Sequence, residues 1–487
     1  MKLIKQHPEI TVIFLIGLIL RLFYAQLDPY LHEWDERFHA LVAQNMIDSP
    51  LIPMLFKNPV VPYDLNSWCC NSVWLHKQPL FMWQMAISMK VFGVSEFSMR
   101  LPSALMGAIT ILLIYRIAFL LTNSKTISII AGLLMCFSHY QLELISGQIG
   151  MDHNDMAFCF YILASFWAFT EKIVNKKIIW NLVIGVFAGC AILNKWLVGL
   201  LVFLPFGIYV LQEIILKKEF KQVKLFALSI ICCVAVFLPW QLYILHKFNE
   251  LAMYEYNFSS QHIFKTIEGH TGNFLFYLMK FGVYFGNPVW LFVIAGIVIA
   301  FAKNNHFNKT INTSIFISFI TVFCFFSFIA QSKLATYFFI VVPFGLIYLA
   351  IGIYKLLNKI NIKWINYLII VVVVVLSFNP YKSFAIRKEN PEREKLIYNT
   401  QIYKSLKNLI PEHIKTVVNV NSFENTNLMF YNNDITAYHW WIDVKHLDSL
   451  KNNKVWIGAF KNHGDYNLPP EYNNYPYLYL IDTLLKQ

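Results

Sequence analysis

Apolar runs of about 20 residues recur along this chain from Ile10 to Phe378, and they constrain its fold more than any other feature. A helix of that length spans the roughly 30 Å hydrocarbon core of a bilayer. Charged residues make up 14% of the sequence, whereas soluble globular proteins carry about 25%. The membrane is therefore the expected solvent for most of the chain, and its spans should be helices, because lipid leaves backbone polar groups no partner outside their own helix.

Polar breaks divide the apolar region into about eleven predicted crossings. The first one follows the basic segment MKLIKQ, and we interpret it as a retained span because it is long and lacks a small-residue cleavage site. The predicted spans are residues 10–27, 101–121, 127–145, 155–171, 178–193, 197–215, 225–245, 274–302, 312–330, 335–354 and 364–379.

Lysines of the short loops predict the orientation. They fall into alternate loops, and positive residues are typical of the cytoplasmic side. These lysines are Lys125, Lys172, Lys176, Lys177, Lys217, Lys218, Lys221, Lys224, Lys303, Lys309, Lys355, Lys359 and Lys363. With the N-terminus cytoplasmic, the loops 28–100, 146–154, 246–273 and the short one around Lys333 should all be extracytoplasmic.

Two domains are predicted. Residues 1–380 form an all-α polytopic membrane domain, whose large first outer loop, 28–100, includes an interfacial amphipathic helix at 80–93. Residues 381–487 turn polar, and helix-like pieces alternate there with the strand-like TVVNV, ITAYHWW and KVWIGAF. The alternation predicts a small soluble α/β domain, which an odd number of crossings places outside.

Charge and cysteine content exclude little else. The net charge of +12 comes from lysines scattered over short loops, which excludes the basic face of a nucleic-acid-binding protein. Six cysteines lie within apolar spans, where a thiol behaves as a small hydrophobic group. Cys69 and Cys70 are adjacent in a polar loop. Free thiols, a vicinal disulfide and metal ligands are all compatible with this position, and no role is assigned to them.

An acidic pair, Asp35 and Glu36, stands just past the first span in the run LHEWDERFHALVAQ. It is followed by KQPL at 77–80 and by FGVSEFSMRLPSA at 92–104. Together these segments resemble the GT-C fold membrane glycosyltransferases of the protein O-mannosyltransferase and lipid A aminoarabinose transferase (ArnT-like) family. The family has an Asp-Glu motif, a Lys-Pro-Pro-Leu segment and a Phe-Gly-x-x-Glu-x-x-x-Arg-Leu-Pro-Ser-Ala segment in the same order.

The resemblance covers most of the membrane part. It extends to ISGQIGMDHNDMAFCF at 145–160, GCAILNKWLVGLLVFLP at 189–205, EGHTGNFLFYL at 268–278 and SKLATYFFIVVP at 332–343. The chain departs from the family pattern at His39, where relatives often have Tyr, at Gln78, where they have Pro, and at His76, where some have a metal-binding Glu. The resemblance implies transfer of a sugar from a polyprenyl-phosphate donor, with inversion, to a lipid A, protein or glycan acceptor.

The acidic pair is the predicted catalytic centre. By resemblance Asp35 is the base that deprotonates the acceptor, and Glu36 orients the acceptor or the loop. The structural alternative is that both acids only stabilise the first turn of a helix that begins near Arg37.

Three lysines are candidates for binding the lipid phosphate, Lys77, Lys195 and Lys333, with interfacial snorkelling as the alternative. Lys195 has the strongest physical case because it interrupts the apolar run 182–204, where insertion of a charge costs about 2.5–3.5 kcal/mol. We favour Lys77 and Lys195.

Further candidates for contacting the substrate are Asp152, Asp155 and His270; the two acids alternatively cap the helix that begins near Asn154. His76 and His270 are candidate ligands of a divalent metal, although two histidines do not specify a site and no cofactor is required. The expected partners are the polyprenyl-phosphate sugar, membrane lipids and the acceptor.

Two other classes of protein fit the composition. A transporter or lipid-sugar flippase would carry its charges near mid-membrane along a pathway, whereas most of the charges here lie at predicted outer ends. A binding or assembly protein that has lost catalysis would not need the acidic pair. Both alternatives remain open at the level of the sequence.

Overall fold

The computed structural model describes residues 8–62, 71–149, 152–360, 362–461 and 468–486, apart from the side chain of Asp152. Cys69 and Cys70 lie outside the described residues. Six cysteines of the apolar runs are free thiols.

Helices dominate the chain up to residue 405. Their bounds are Pro8–Tyr24, Asp35–Asn45, Leu80–Phe92, Glu96–Thr122, Lys125–Cys136, His139–Ile145, Asp152–Asn175, Ile179–Lys195, Phe203–Lys217, Lys221–Lys247, Asn249–Phe264, Phe276–Met279, Phe281–Phe285, Leu291–Phe301, Lys309–Cys324, Ala335–Phe339, Val342–Leu357, Lys363–Phe378, Pro380–Glu389 and Pro391–Ser405. A 3-10 segment, Trp196–Val202, and a π-helical turn, Phe325–Ile329, interrupt them.

Six helical stretches of the described chain are long and apolar enough to cross a membrane, or seven if the bent pair Lys125–Cys136 and His139–Ile145 is one span. They are Glu96–Thr122, His153–Asn175, Ile179–Lys217, Lys221–Lys247, Lys309–Ile329 and Lys363–Glu389. The prediction of an all-α, multi-pass membrane part is confirmed. The count of eleven crossings stays a prediction.

The helix Lys363–Phe378 shows what the membrane environment decides. Its sequence includes IIVVVVV, and β-branched residues of this kind favour strands in water. It is nevertheless helical, as lipid requires of a spanning segment.

One predicted span is broken where the structure bends the chain. Residues 274–302 form three short helices instead of one, and Gly286 at φ 86 and Pro288 separate the second helix from the third. The spans predicted at 178–193 and 197–215 are divided at Trp196, whose φ is 65. Gly199 packs closely on the preceding helix: a Cβ atom at this position would lie only 2.6 Å from the backbone nitrogen of Ile192.

Small residues bring neighbouring helices into close contact. Gly185 and Gly189 face the backbone of the helix Lys221–Lys247. Where Leu291–Phe301 crosses Val342–Leu357, Gly296 faces the backbone of Tyr348 and Gly352 faces that of Phe292. Added Cβ atoms would clash with backbone oxygens at these crossings. Such spacing of small residues is typical of helix packing in membranes.

Contacts divide the chain into two compact units. The helical unit comprises Met1–Ala25 and Arg100–Ser383, and the discontinuous unit comprises Gln26–Met99 and Phe384–Gln487. The boundary predicted at residue 380 stays a prediction of domain organisation. In the discontinuous unit the first long loop and the C-terminal segment share one core.

The discontinuous unit is built on a four-stranded parallel sheet of order β2-β1-β3-β4. Its strands are β1 Thr416–Val418, β2 Thr436–Ala437, β3 Ile457–Phe460 and β4 Leu478–Ile481, with short helices Asn425–Tyr431 and Val444–Asn452 between strands. The predicted α/β alternation is therefore confirmed; β4 was not predicted. The loop adds to this core, for example through Phe56, whose ring stacks on Tyr438 at 5.2 Å.

Candidate functional site

The acidic pair opens the helix Asp35–Asn45 of the discontinuous unit. Trp34 holds the N-cap position, and Asp35 and Glu36 form the first turn, where carboxylates interact favourably with the helix dipole. Ten of the helix's eleven residues are buried, so the element is fixed by packing. The two side chains at its start are consequently held in place on a rigid support.

Glu36 is a buried side chain, 2% exposed. Its Oε2 accepts a hydrogen bond of 2.6 Å from the backbone N–H of His32. A charge-assisted bond of this kind is stronger than a neutral one. Glu36 therefore closes the loop before the helix, which is the geometry that its predicted orienting role requires.

Asp35 remains partly open, with 25% of its side chain exposed. Its Oδ1 lies 3.5 Å from Nζ of Lys77 and 3.8 Å from Nε2 of His39. His39 is fully buried, with its ring 4.7 Å from that of Phe81 and 5.8 Å from that of Trp74. The structure thus brings the predicted base and one predicted phosphate ligand together, and leaves the carboxylate accessible.

A second ionic cluster supports the same loop. Asp28, whose side chain is fully buried, accepts hydrogen bonds from Nε of Arg387 at 3.2 and 2.9 Å. Nε of Arg393 lies 3.5 Å from Asp28 Oδ1, and Nε2 of His32 lies 3.2 Å from Asp28 Oδ2. Sequence reasoning missed this cluster, since both arginines follow the last predicted span.

Arg37 directly follows the acidic pair and is buried in the discontinuous unit. It is 2% exposed. Burial lowers the pKa of Arg37, and the carboxylate of Glu424 is the main opposing influence. Tyr403 donates a short hydrogen bond to Glu424, and burial raises the pKa of that phenol. We therefore interpret Arg37 as a structural cation whose attraction to Glu424 links the helix Asp35–Asn45 to the C-terminal segment.

The backbone at Trp34 is strained. Its φ is 62 and its ψ is −119, and Trp196 has φ 65 and ψ −154. Such conformations cost about 1–3 kcal/mol for a residue other than glycine and cluster at functional sites. Each tryptophan is next to a predicted site residue, Trp34 before Asp35 and Trp196 after Lys195.

In the helical unit, Lys195 and Asp155 form an ion pair. Asp155 is fully buried, and the ammonium of Lys195 also lies 5.2 Å from the ring centre of Tyr337. The pairing explains how the apolar run 182–204 tolerates a lysine, because an intramembrane charge needs a partner. The predicted contact of Asp152 involves a side chain outside the described residues.

The side chain of Lys333 caps the end of a helix. Its Nζ donates to the carbonyls of Phe326, Ser327 and Ala330 at 2.6, 3.0 and 2.7 Å. An ammonium has three donors, so all of them are used by the π-helical turn. Its backbone N–H donates to the carbonyl of His270 at 3.0 Å, which brings these two predicted site residues together.

The candidate metal ligands do not form a metal site by themselves. His76 lies beside Trp74, with ring centres 5.6 Å apart. Nε2 of His270 lies 3.7 Å from Oε2 of Glu268. Throughout the described ranges, no group of three or more His, Cys, Asp or Glu side chains is arranged to hold an ion.

Comparisons with known proteins agree with this architecture. Residues 76–243 match the family described as dolichyl-phosphate-mannose-protein mannosyltransferase. The fold resembles the crystal structure of ArnT from Cupriavidus metallidurans bound to undecaprenyl phosphate, with a TM-score of 0.66, 16% identity, and coverage of 93% of this chain and 86% of that one. The apo structure of the same protein matches equally, with a TM-score of 0.66.

Curated relatives are undecaprenyl phosphate-alpha-4-amino-4-deoxy-L-arabinose arabinosyl transferases. One from Pseudomonas fluorescens is 27% identical over 217 residues, which cover 43% of this chain and 35% of the relative. Another, from Photorhabdus laumondii, is 26% identical over 322 residues, which cover 62% of this chain and 52% of the relative. The chain thus spans about a third to a half of the length of these relatives.

Proposed function

We propose that this multi-pass integral membrane protein, which is similar to GT-C, ArnT-like glycosyltransferases, moves a sugar from a polyprenyl-phosphate donor to an acceptor at the outer face of the bacterial inner membrane. The observation that carries the proposal is the environment of the Asp35 carboxylate. This carboxylate is partly exposed, is set on a buried helix and lies 3.5 Å from the ammonium of Lys77.

Asp35 acts as the general base. It takes the proton of the acceptor's nucleophilic group as that group attacks the anomeric carbon of the donor sugar. The new glycosidic bond forms while the bond from that carbon to the lipid phosphate breaks, so the configuration inverts and the lipid phosphate leaves with the bonding electrons. A positioned base of this kind contributes about 10²–10⁴ in rate.

Cations stabilise the departing phosphate. Of the three candidate lysines, Lys77 and Lys195 are the proposed ligands because each is paired with a carboxylate, whereas Lys333 donates to backbone carbonyls at the end of a helix. A phosphate entering beside such a lysine can replace the carboxylate as its partner. Electrostatic stabilisation of developing charge is usually a large part of catalysis.

Remaining substrate contacts are assigned to Asp152, Asp155 and His270, whose oxygens and imidazole suit sugar hydroxyls. Glu36 orients the loop that carries the base. His76 and His270 are the residues proposed for a divalent ion, if the reaction uses one.

The proposed orientation places the N-terminus in the cytoplasm and residues 381–487 outside. The loop lysines support it through the positive-inside rule. Labelling of single cysteines introduced into the tail of intact cells, with a membrane-impermeant maleimide, should succeed. Labelling only after lysis would contradict the orientation.

Turnover by purified protein tests the function. Undecaprenyl-phosphate-linked aminoarabinose is the first donor to use, with glycolipid, glycan and protein acceptors. Asp35→Asn should lower kcat by about 10³, whereas Asp48→Asn, a change at an exposed carboxylate of the same loop, should leave it unchanged. Equal turnover by wild type and Asp35→Asn would refute the base, and lipid-sugar translocation without transfer would support a flippase.

A further inference from the structure

Four aromatic side chains form a cluster in the discontinuous unit, in which Trp34 is exposed and the other three are partly buried. The ring of Trp34 lies 5.3 Å from that of Phe423, Phe423 lies 4.7 Å from His439, and His439 lies 4.7 Å from Trp440. Trp34 is 57% exposed. We call Trp34, Phe423, His439 and Trp440 the aromatic platform.

Two neighbouring residues at one end of the platform have unusual backbones. Trp34 has φ 62 and Phe423 has φ 58. Bulky residues are genuine outliers in this region. The exposed face of Trp34 gains little from burial, so core packing does not account for placing this ring there. Backbone strain of this kind clusters at functional sites.

Carboxylates and an amide lie next to the platform, and both carboxylates have cationic partners: Lys77 lies 3.5 Å from Asp35 and Arg37 lies 3.8 Å from Glu33. Asp35 directly follows Trp34, and Glu33, half exposed, directly precedes it. Oδ1 of Asn425 lies 3.2 Å from Nδ1 of His439 and fixes that ring. Sugar rings present an apolar face of C–H groups that stacks on aromatic rings, and hydroxyls that donate to carboxylates and amides.

We propose that the aromatic platform binds a saccharide ring of the acceptor and presents one of its nucleophilic groups to Asp35. The proposal rests on the function proposed above and narrows it, since the acceptor is then a glycolipid or glycan and not an unmodified peptide. Its physical basis is that Trp34 of the platform directly precedes the proposed base, Asp35, and has a strained backbone.

Binding can be measured without turnover. Full-length protein in nanodiscs is titrated with N,N'-diacetylchitobiose, and saturation-transfer NMR reports both the contact and the Kd. Trp34→Ala should raise the Kd at least tenfold, and Trp34→Tyr should restore most of the binding. Asp35→Asn should still bind. Trp456→Ala, which removes a tryptophan of the same unit that lies beside His413 and Tyr477, serves as the matched control and should bind like wild type.

Stability separates a binding role from a packing role. Trp34→Gly and Trp34→Ala both remove the ring, but glycine adopts φ 62 without strain and alanine does not. Trp34→Gly should therefore have the higher Tm of the two while both lose saccharide binding. Where an acceptor is turned over, each should raise the acceptor KM at least tenfold and leave the donor KM unchanged.

Several results would overturn the proposal. They are the absence of saccharide binding by wild type, a loss of saccharide binding in Trp456→Ala equal to that in Trp34→Ala, and a change in the donor KM but not the acceptor KM of the Trp34 variants. Quenching of Trp34 by brominated phosphatidylcholine, measured as the difference between wild type and Trp34→Phe, would assign the platform to the membrane surface. If the protein transfers the sugar but does not bind the saccharide, the platform proposal is rejected and the proposed function stands. If it binds the saccharide but transfers sugar from none of the donors, the proposed function is rejected and the platform stands only as a saccharide-binding surface.

Discussion

Asp28 and Arg387 are 359 positions apart in the sequence, yet Nε of Arg387 donates to both carboxylate oxygens of Asp28. Both side chains are almost completely buried, at 0% and 5% exposure. Asp28 also meets His32, whose backbone N–H donates to Glu36. The C-terminal segment therefore braces the loop that presents the acidic pair.

Removing the arginine should destabilise the protein. Arg387→Gln removes a hydrogen-bonded cation from the buried carboxylate of Asp28, and breaking a buried pair from one side costs about 3–5 kcal/mol. We expect the lower end, about 3 kcal/mol, in thermal unfolding of purified protein. Lys461→Gln, which opens an exposed pair, should change stability by less than about 0.5 kcal/mol. Similar effects of the two changes would contradict the bracing role.

Lys77 should contribute to use of the donor. Hydrogen bonds to charged groups are worth about 1.5–3 kcal/mol, so Lys77→Ala should lower kcat/KM for the lipid-linked sugar by roughly 10–150-fold. The steady-state rate at low donor concentration is the measurement. Lys57→Ala changes a lysine of the same loop that pairs with Asp48, and it should behave like wild type. An unchanged rate in Lys77→Ala would remove this residue from the site.

The ion pair of Lys195 and Asp155 predicts a rescue that separates folding from activity. Lys195→Met removes the cation beside a buried carboxylate and should cost about 3 kcal/mol. The double variant Lys195→Met/Asp155→Asn should recover most of the lost Tm, because the uncompensated charge is gone. It should remain inactive if Lys195 binds phosphate, and activity recovered along with stability would show that the pair is structural only.

Lys333→Gln should lower stability with little effect on the donor KM. The change removes a cation that three carbonyls share, and an expected loss of about 2 kcal/mol follows from hydrogen bonds to charged groups. Lys303→Gln, at an exposed position of the helical unit, is the control. A rise in donor KM with unchanged Tm would instead assign Lys333 to the phosphate.

Acidification should weaken the discontinuous unit through His439. Burial lowers the pKa of His439 below its ordinary value of 6.5. The unfolded chain therefore binds more protons in the window below pH 6.5, and stability falls as the pH drops through it. Above that window both states are neutral at this residue and the effect vanishes. His439→Phe should flatten the pH dependence of Tm between pH 7 and 5, and an unchanged slope would contradict this assignment.

Much of the fold followed from hydrophobicity alone. The apolar runs predicted helices correctly even where β-branched residues favour strands, as in Lys363–Phe378, because the bilayer and not intrinsic propensity decides. Breaks within runs were harder to predict. The interruption at Gly286 and Pro288 depends on local backbone geometry, and a strand as short as β2, Thr436–Ala437, is defined by its pairing with β1.

Of the candidate site, the local pairs were accessible from sequence and the long-range supports were not. Motif order identified Asp35, Glu36 and Lys77, which the structure brings together. The intramembrane position of Lys195 implied a partner, which is Asp155. Arg387 and Glu424 gave no sequence signal because a contact across more than 350 residues depends on the tertiary fold.

The discontinuous unit also sets an order of assembly. Its first part, Gln26–Met99, is synthesised before Arg100–Ser383, and its second part begins only at Phe384. At ribosomal speeds of about 5–20 residues per second, roughly 15–60 s separate the two. During that interval Asp28 lacks Arg387, and the helix of Asp35 lacks the helix Asn425–Tyr431 that packs on it. A ribosome that stops early therefore releases a chain with membrane helices but without the contacts that hold the loop of the acidic pair.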